Sequence, residues 1–166
     1  MARIFVLEDD KASKDALKEM LYSISADITV DTAGSLAKAR QLLDSTVSFD
    51  LFLLDVNLDK DNGDDSGGIT FAKEVRSLTK YEFTPIVMIT SIAGLEMEAY
   101  RKIYCYQYIL KPYNEAEVVE LVRKVLSHIP KVEKPFIIVK KNGVNYKIFC
   151  KRSEERRVGK ECRSRW

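Results

Sequence analysis

Histidine is almost missing from this chain of 166 residues; His128 is the only one. No Ser-His-Asp or Cys-His relay can be assembled from so few parts, which removes the usual nucleophilic hydrolases. His128 lies late in the last helical segment, where a cation is mildly favoured, and no chemistry is assigned to it. Cysteine is scarce too. Cys105, Cys150 and Cys162 are scattered, odd in number and not at close metal-ligand spacing, so a reduced, cytoplasmic protein is the simplest expectation. Long apolar runs are absent: none approaches the roughly 20 residues that cross a bilayer. Met1-Ala-Arg-Ile passes almost at once into acidic residues, unlike a secretory leader, and no membrane partner is expected. A basic excess is missing from the body of the chain. Residues 151–166 hold seven basic and three acidic side chains, leaving 20 and 22 in the first 150. The net charge of +2 therefore comes from the tail, and the body offers no electrostatic case for nucleic acid.

What is present is a regular alternation. Arg3-Ile-Phe-Val-Leu7 is a short apolar run ending in Glu8-Asp9-Asp10, and Ala16, Leu17, Met20, Leu21 and Ile24 then share one helical face. Ile28–Val30 reads as a second strand, and Ser35 as the cap of a helix burying Leu36, Ala39, Leu42 and Leu43. Leu51–Leu54 is apolar throughout and stops at Asp55, as a strand covered on both faces should. A loop from Asn57 to Gly68, rich in Asp, Asn and Gly, leads into a helix over 69–78. Pro85–Ile89 is a further two-sided strand ended by Thr90. Residues 94–103 predict a short helix, and 106–110 a fifth strand ending at Lys111-Pro112. Asn114 and Glu117 form a capping-box pattern before a helix over 118–129. Five strands alternating with five helices predict an α/β fold, a doubly wound parallel sheet with right-handed crossovers, over residues 1–129.

Residues 130–135, bracketed by prolines, read as a linker. Residues 136–150 contain two short strands around Lys-Lys-Asn-Gly, a hairpin signal. A lone hairpin is marginal in water, so it is expected to open a second domain that the chain does not complete. Residues 151–166 have neither period and are expected to be appended rather than native.

In an open parallel sheet, ligands bind outside the carboxyl ends of the strands, near the switch in strand order. Here the first strand ends in Glu8 and Asp9, the third in Asp55, the fourth in Thr90 and the fifth in Lys111. Three carboxylates, a hydroxyl and an ammonium converge on one edge. Carboxylates so close repel unless a cation sits among them, and an all-oxygen set with few side chains suits magnesium. Phosphoryl transfer asks for positioning and charge neutralisation, which such a set supplies, with Asp55 as the nucleophile. Taken singly these residues have blander uses. Thr90 could cap the next helix, Lys111 could lie on the surface, and Tyr108, Tyr100, Tyr104 and Tyr106 could be half-buried residues covering helix and sheet. Two acids directly after a buried strand are harder to excuse, because their burial is costly without a partner.

Phe-Val-Leu-Glu-Asp-Asp, Leu-Leu-Asp-Val-Asn-Leu, Val-Met-Ile-Thr-Ser and Tyr-Ile-Leu-Lys-Pro-Tyr, in this order, resemble the signature segments of response-regulator receiver domains. The resemblance covers about residues 1–129. It implies a flavodoxin-like sheet of order 2-1-3-4-5 and phosphorylation of Asp55 by a sensor histidine kinase. It implies that magnesium is held by Asp9 and Asp55, by the backbone carbonyl of Asn57, and by Glu8 through water. Thr90 and Lys111 would grip the phosphoryl group, Lys111-Pro112 would be cis, and Thr90 with Tyr108 would form the switch. Asn57 and Ile92 would flank the approach of the water that removes phosphate, tuning a slow self-dephosphorylation. A homodimer through the fourth and fifth helices would be the usual pairing.

The loop after Asp55 departs from the family by being longer, by about five residues, with Asp59, Asp61, Asp64 and Asp65 adding charge. It begins like a calcium loop, but Lys60 stands where glycine is needed and Ser66 where glutamate is, so a solvated acidic loop is the better account. Two other classes remain open. A magnesium-dependent hydrolase of the haloacid dehalogenase type would want Asp where Asn57 stands, and a degenerate receiver used only for binding would not need its full polar set. The segment 136–149 resembles the opening hairpin of a LytTR-type DNA-binding domain. That resemblance implies a transcriptional output whose DNA-reading part is missing from this chain.

Overall fold

In a computed structural model the described residues are 2–58 and 67–129, with the backbone of 136–141 and 144–149. The chain divides after Ile129 into two units. The first contains β1 (Ala2–Leu7), α1 (Lys11–Ile24), β2 (Ile28–Ala33), α2 (Leu36–Leu43), β3 (Leu51–Leu54), α3 (Gly67–Ser77), a 3-10 turn (Thr79–Tyr81) and β4 (Ile86–Thr90). It continues through α4 (Glu96–Glu98, prolonged by a π-helical turn over Ala99–Ile103), β5 (Gln107–Leu110) and α5 (Glu115–His128). All neighbouring strands are parallel, in the order β2-β1-β3-β4-β5. This is the doubly wound parallel sheet that the alternation predicts, in the flavodoxin-like order that the resemblance implies.

The continuous apolar runs are explained by the sheet's two covered faces. Successive side chains of a strand point to opposite sides. Ile4, Val6, Leu51, Leu53, Val87 and Ile89 therefore face α1 and α5, meeting Leu17, Leu21, Val118 and Val122. Phe5, Leu7, Phe52, Leu54, Ile86 and Met88 face the other way, toward Ala39 and Leu43 of α2, Phe71 and Val75 of α3, and Ile103. That second core is aromatic at its base: Phe5, Phe49, Phe52, Phe71 and Tyr81 pack with ring centroids 5.0 to 6.4 Å apart. Aromatic pairs at such distances add to the transfer energy of their buried area.

Local signals set the helix ends. Asp10 caps α1 by accepting from the Ser13 amide (2.8 Å), Ser35 caps α2 through Lys38 (3.3 Å), and Asn114 caps α5. The Asn114 side chain accepts from Ala116, not from residue 117 as a capping box requires, and α5 begins at Glu115 rather than 118. Tyr100, Tyr104 and Tyr106 are exposed rather than half-buried, Tyr104 to 74%.

In the second unit, β6 (Phe136–Lys141) and β7 (Val144–Phe149) pair antiparallel, with Lys141 opposite Val144. The expected Asn-Gly turn, the linker, the acidic residues 59–66 and the tail lie outside the described residues.

Candidate functional site

The site lies at the carboxyl edge of the sheet, where β1 and β3 are neighbours and the chain order reverses. Ladder bonds run one residue past each strand. The Glu8 amide donates to Ala33 O (3.0 Å), that of Asp55 to Leu7 O (2.9 Å), and that of Lys111 to Thr90 O (2.8 Å). Glu8 and Asp55 therefore emerge side by side, with Lys111 held next to Thr90. Glu8, Asp55 and Thr90 are buried, and Asp9 is half-buried beside them.

The Lys111 ammonium bridges the two buried acids, 2.7 Å from Glu8 Oε2 and 2.6 Å from Asp55 Oδ2. Burial pulls the Lys111 ammonium toward neutrality, but its bonds to Asp55 and Glu8 outweigh this, and its pKa rests above the usual lysine value. Burial is the largest influence on Glu8 and pushes its carboxyl upward, with the Lys111 bond opposing and the Asp55 charge adding to the rise. The second Asp55 oxygen, Oδ1, accepts from the Asn57 amide (3.0 Å), so the carboxylate is fixed at both ends. The Lys111–Pro112 peptide is cis.

Lys111 bridges two carboxylates of a cluster of three. Glu8, Asp9 and Asp55 each offer an oxygen, all within 4.8 Å of one another. Asn57 Oδ1 is buried without a hydrogen-bond partner among the described residues. A buried acceptor without a donor is costly and rare. The excess negative charge and this unsatisfied oxygen both fit a hydrated divalent cation, and the all-oxygen set fits magnesium.

Thr90 does not cap a helix. Its Oγ1 accepts from the Ile92 amide (3.2 Å), shaping the loop before α4, which starts only at Glu96. Ile92 is half-buried, and its carbonyl accepts from Tyr108 Oη at 2.6 Å. The Tyr108 ring is buried, which raises its phenol to about 12, with Glu96 and Asp55 adding to the effect. The hydroxyl is therefore a proton donor at any ordinary pH.

Two positioning contacts escape pattern reading. Lys14 of α1 donates to the Glu8 carbonyl (3.2 Å). Gly68 lies against the peptide of Asp55: a Cβ there would sit 1.9 Å from the Asp55 carbonyl oxygen. The signal was present as Gly67-Gly68 at the head of α3, but a glycine pair after an acidic loop reads simply as loop.

The model of the response regulator receiver domain family matches residues 4–123, and the chain belongs to that family. Among curated proteins it resembles the transcriptional regulatory protein CpxR of Escherichia coli K12, 31% identical over 133 residues. The match covers 76% of this chain and 50% of CpxR, so the chain spans about half the length of that relative. Among solved structures, a two-component response regulator from Clostridium difficile superposes with a TM-score of 0.66 at 24% identity, covering 79% of this chain and all of that one. The chemotaxis response regulator CheY4 of Vibrio cholerae gives 0.59 at 26% identity, covering 75% and 98%. The unit over residues 1–129 is thus a receiver domain of two-component signalling, built on the five-stranded fold of its relatives. No described helix is long and apolar enough to cross a membrane.

Proposed function

We propose that Asp55 accepts a phosphoryl group from a sensor histidine kinase and that the change at Asp55 is relayed through Thr90 and Tyr108 to an output. The observation that carries this reading is the Asp55 carboxylate, oriented by Lys111 on one oxygen and Asn57 on the other, within a cluster of three acids. The P–O bond to Asp55 forms as the P–N bond of the phosphohistidine breaks. Lys111 turns from the carboxylates to a phosphoryl oxygen, and the Thr90 hydroxyl donates to another. Asp9 and Asp55, the backbone carbonyl of Asn57, and Glu8 through water would hold magnesium, which when bound neutralises the phosphoryl oxygens. When Thr90 is drawn toward the phosphoryl group, the loop it shares with Ile92 follows. Tyr108 is bonded to that loop and responds.

The chain's own chemistry is that of a signalling receiver, with hydrolysis of its aspartyl phosphate slow. Asn57 and Ile92 flank the water's approach, and Ile92 offers no side-chain hydrogen bond to orient it. Transcription control is the expected output, in a cytoplasmic protein. The paired strands β6 and β7 suit the opening hairpin of a LytTR-type DNA-binding domain. Exposed Met97 and Tyr100 on the fourth helix support a homodimer through α4 and α5. The test of the central reading is labelling by acetyl phosphate with magnesium, read by intact mass: wild type takes one phosphoryl group and Asp55→Asn takes none.

A further inference from the structure

Helix α4 ends in a strained form. Over Ala99–Ile103 it winds as a π-turn, and the Ala99 carbonyl accepts from both the Tyr104 and Cys105 amides. Tyr104 closes the turn at φ 53°, ψ 47°, in the left-handed region, the sole non-glycine residue there among the described ones. A bulky residue stays in that region only where its surroundings fix it.

The surroundings are Arg76. From the C-terminal turn of α3 its guanidinium reaches four backbone carbonyls: Nε donates to Ile103 (2.6 Å), Nη2 to Tyr104 (3.1 Å), and Nη1 to Tyr81 (2.8 Å) and Thr84 (2.6 Å). All four acceptors are neutral oxygens. Burial lowers the Arg76 pKa, as expected of a guanidinium that pairs with no carboxylate among the described residues. A planar fork of donors spent in this way fixes geometry rather than pairing charge.

The clamped turn is tied to the switch pair. Tyr100, within the π-turn, accepts the Tyr108 amide on its Oη (3.1 Å) at the outer edge of β5. Tyr108 in turn bonds the Ile92 carbonyl, and Ile92 bonds Thr90. A continuous set of contacts therefore runs from Arg76 through the π-turn, Tyr100, Tyr108 and Ile92 to Thr90.

We propose that Arg76 is a positioning residue that holds α4 in its π-helical form and so keeps Tyr108 turned inward before any phosphoryl group arrives. Without the clamp, Tyr104 leaves the left-handed region, the turn rewinds toward i→i+4 bonding, and Tyr100 releases the β5 edge. The functional consequence rests on the reading of Asp55, Thr90 and Tyr108 given above. The clamp itself is tested without phosphodonor.

Residue-resolved amide exchange of wild type, Arg76→Met and Arg76→Met/Tyr104→Gly is the experiment. In Arg76→Met the amides of Tyr104, Cys105 and Tyr108 should exchange at least about tenfold faster, while Phe5 and Phe52 in the central strands stay within about twofold. Glycine occupies the left-handed region freely, so Tyr104→Gly should restore most of the protection. Unchanged exchange at Tyr108 overturns the proposal. So does a uniform rise across the sheet, or a failure of Tyr104→Gly to rescue, either of which a merely structural arginine would give. If Arg76→Met does not fold, Tyr100→Phe decides: it removes only the acceptor of the Tyr108 amide, and wild-type exchange there overturns the coupling. Labelling by acetyl phosphate with magnesium then separates the two readings. Slower labelling of Arg76→Met, recovered by Tyr104→Gly, supports the coupling, and equal labelling of wild type and Arg76→Met refutes it. A wild type that takes no label refutes the Asp55 reading and leaves the clamp to its exchange data.

Discussion

Glu8 sits in an electrostatically unfavourable place at the carboxyl edge of the sheet. Its carboxylate is buried, shares one ammonium with Asp55, and faces a second acid at Asp9. Burial raises its pKa above the ordinary 4.5, so between the unfolded and native values the native state binds protons there more tightly than the unfolded chain does. The sign follows: this group favours folding below the unfolded value, and the benefit is lost as pH rises through the native one. Glu8→Gln removes the titration. In metal-free buffer, chemical denaturation of the two proteins should show the variant gaining on the wild type as pH climbs above 4.5. A constant difference across that range would mean Glu8 is not desolvated as described. Ile92 is the second residue with a distinct consequence. On the proposed role of Ile92 beside the hydrolytic water, Ile92→Glu adds polar acceptors there and should shorten the lifetime of the phosphorylated state at fixed magnesium. Equal or slower decay in the variant would remove Ile92 from that role.

At the scale of elements, α3 is the strut on which the site rests. Its first turn presses Gly68 onto the Asp55 peptide, and its last turn carries Arg76. Gly68→Ala forces a Cβ into the Asp55 carbonyl oxygen, and backbone has to move. We expect a loss of about 1–3 kcal/mol of stability, the usual cost of overpacking, together with slower labelling of Asp55. Wild-type stability and labelling in the variant would show that the contact is not tight. Elements differ in how plainly the chain announces them. β3 and β4 are legible because two covered faces demand unbroken apolar runs, and their ends deliver Asp55 and Thr90 directly. The carboxyl-edge convergence of Glu8, Asp55, Thr90 and Lys111 is readable for the same reason. α4 is not. Its π-turn depends on an arginine that is 27 residues away from Ile103 in sequence, and no local period encodes that. The exposure of Tyr104 follows from the same turn, so an aromatic residue that reads as sheet cover points to solvent instead. Asn114 signals its cap, but whether the amide two or three residues on is bonded depends on the local dihedral angles rather than on residue type.

For the whole molecule, both faces of the sheet are closed by helices drawn from residues 2–129. The two buried clusters among the described residues end at Val125. A protein lacking residues 131–166 should therefore unfold in one cooperative transition, by calorimetry and circular dichroism alike. A truncated chain without such a transition would mean that the receiver draws essential contacts from the second unit. The central claim concerns Asp55, and it is tested most directly by intact-protein mass after incubation with acetyl phosphate and magnesium. One added phosphoryl group on the wild type, none on Asp55→Asn, and none on the wild type when magnesium is chelated is the predicted result. Equal labelling of wild type and Asp55→Asn, or no labelling of wild type at all, would contradict it.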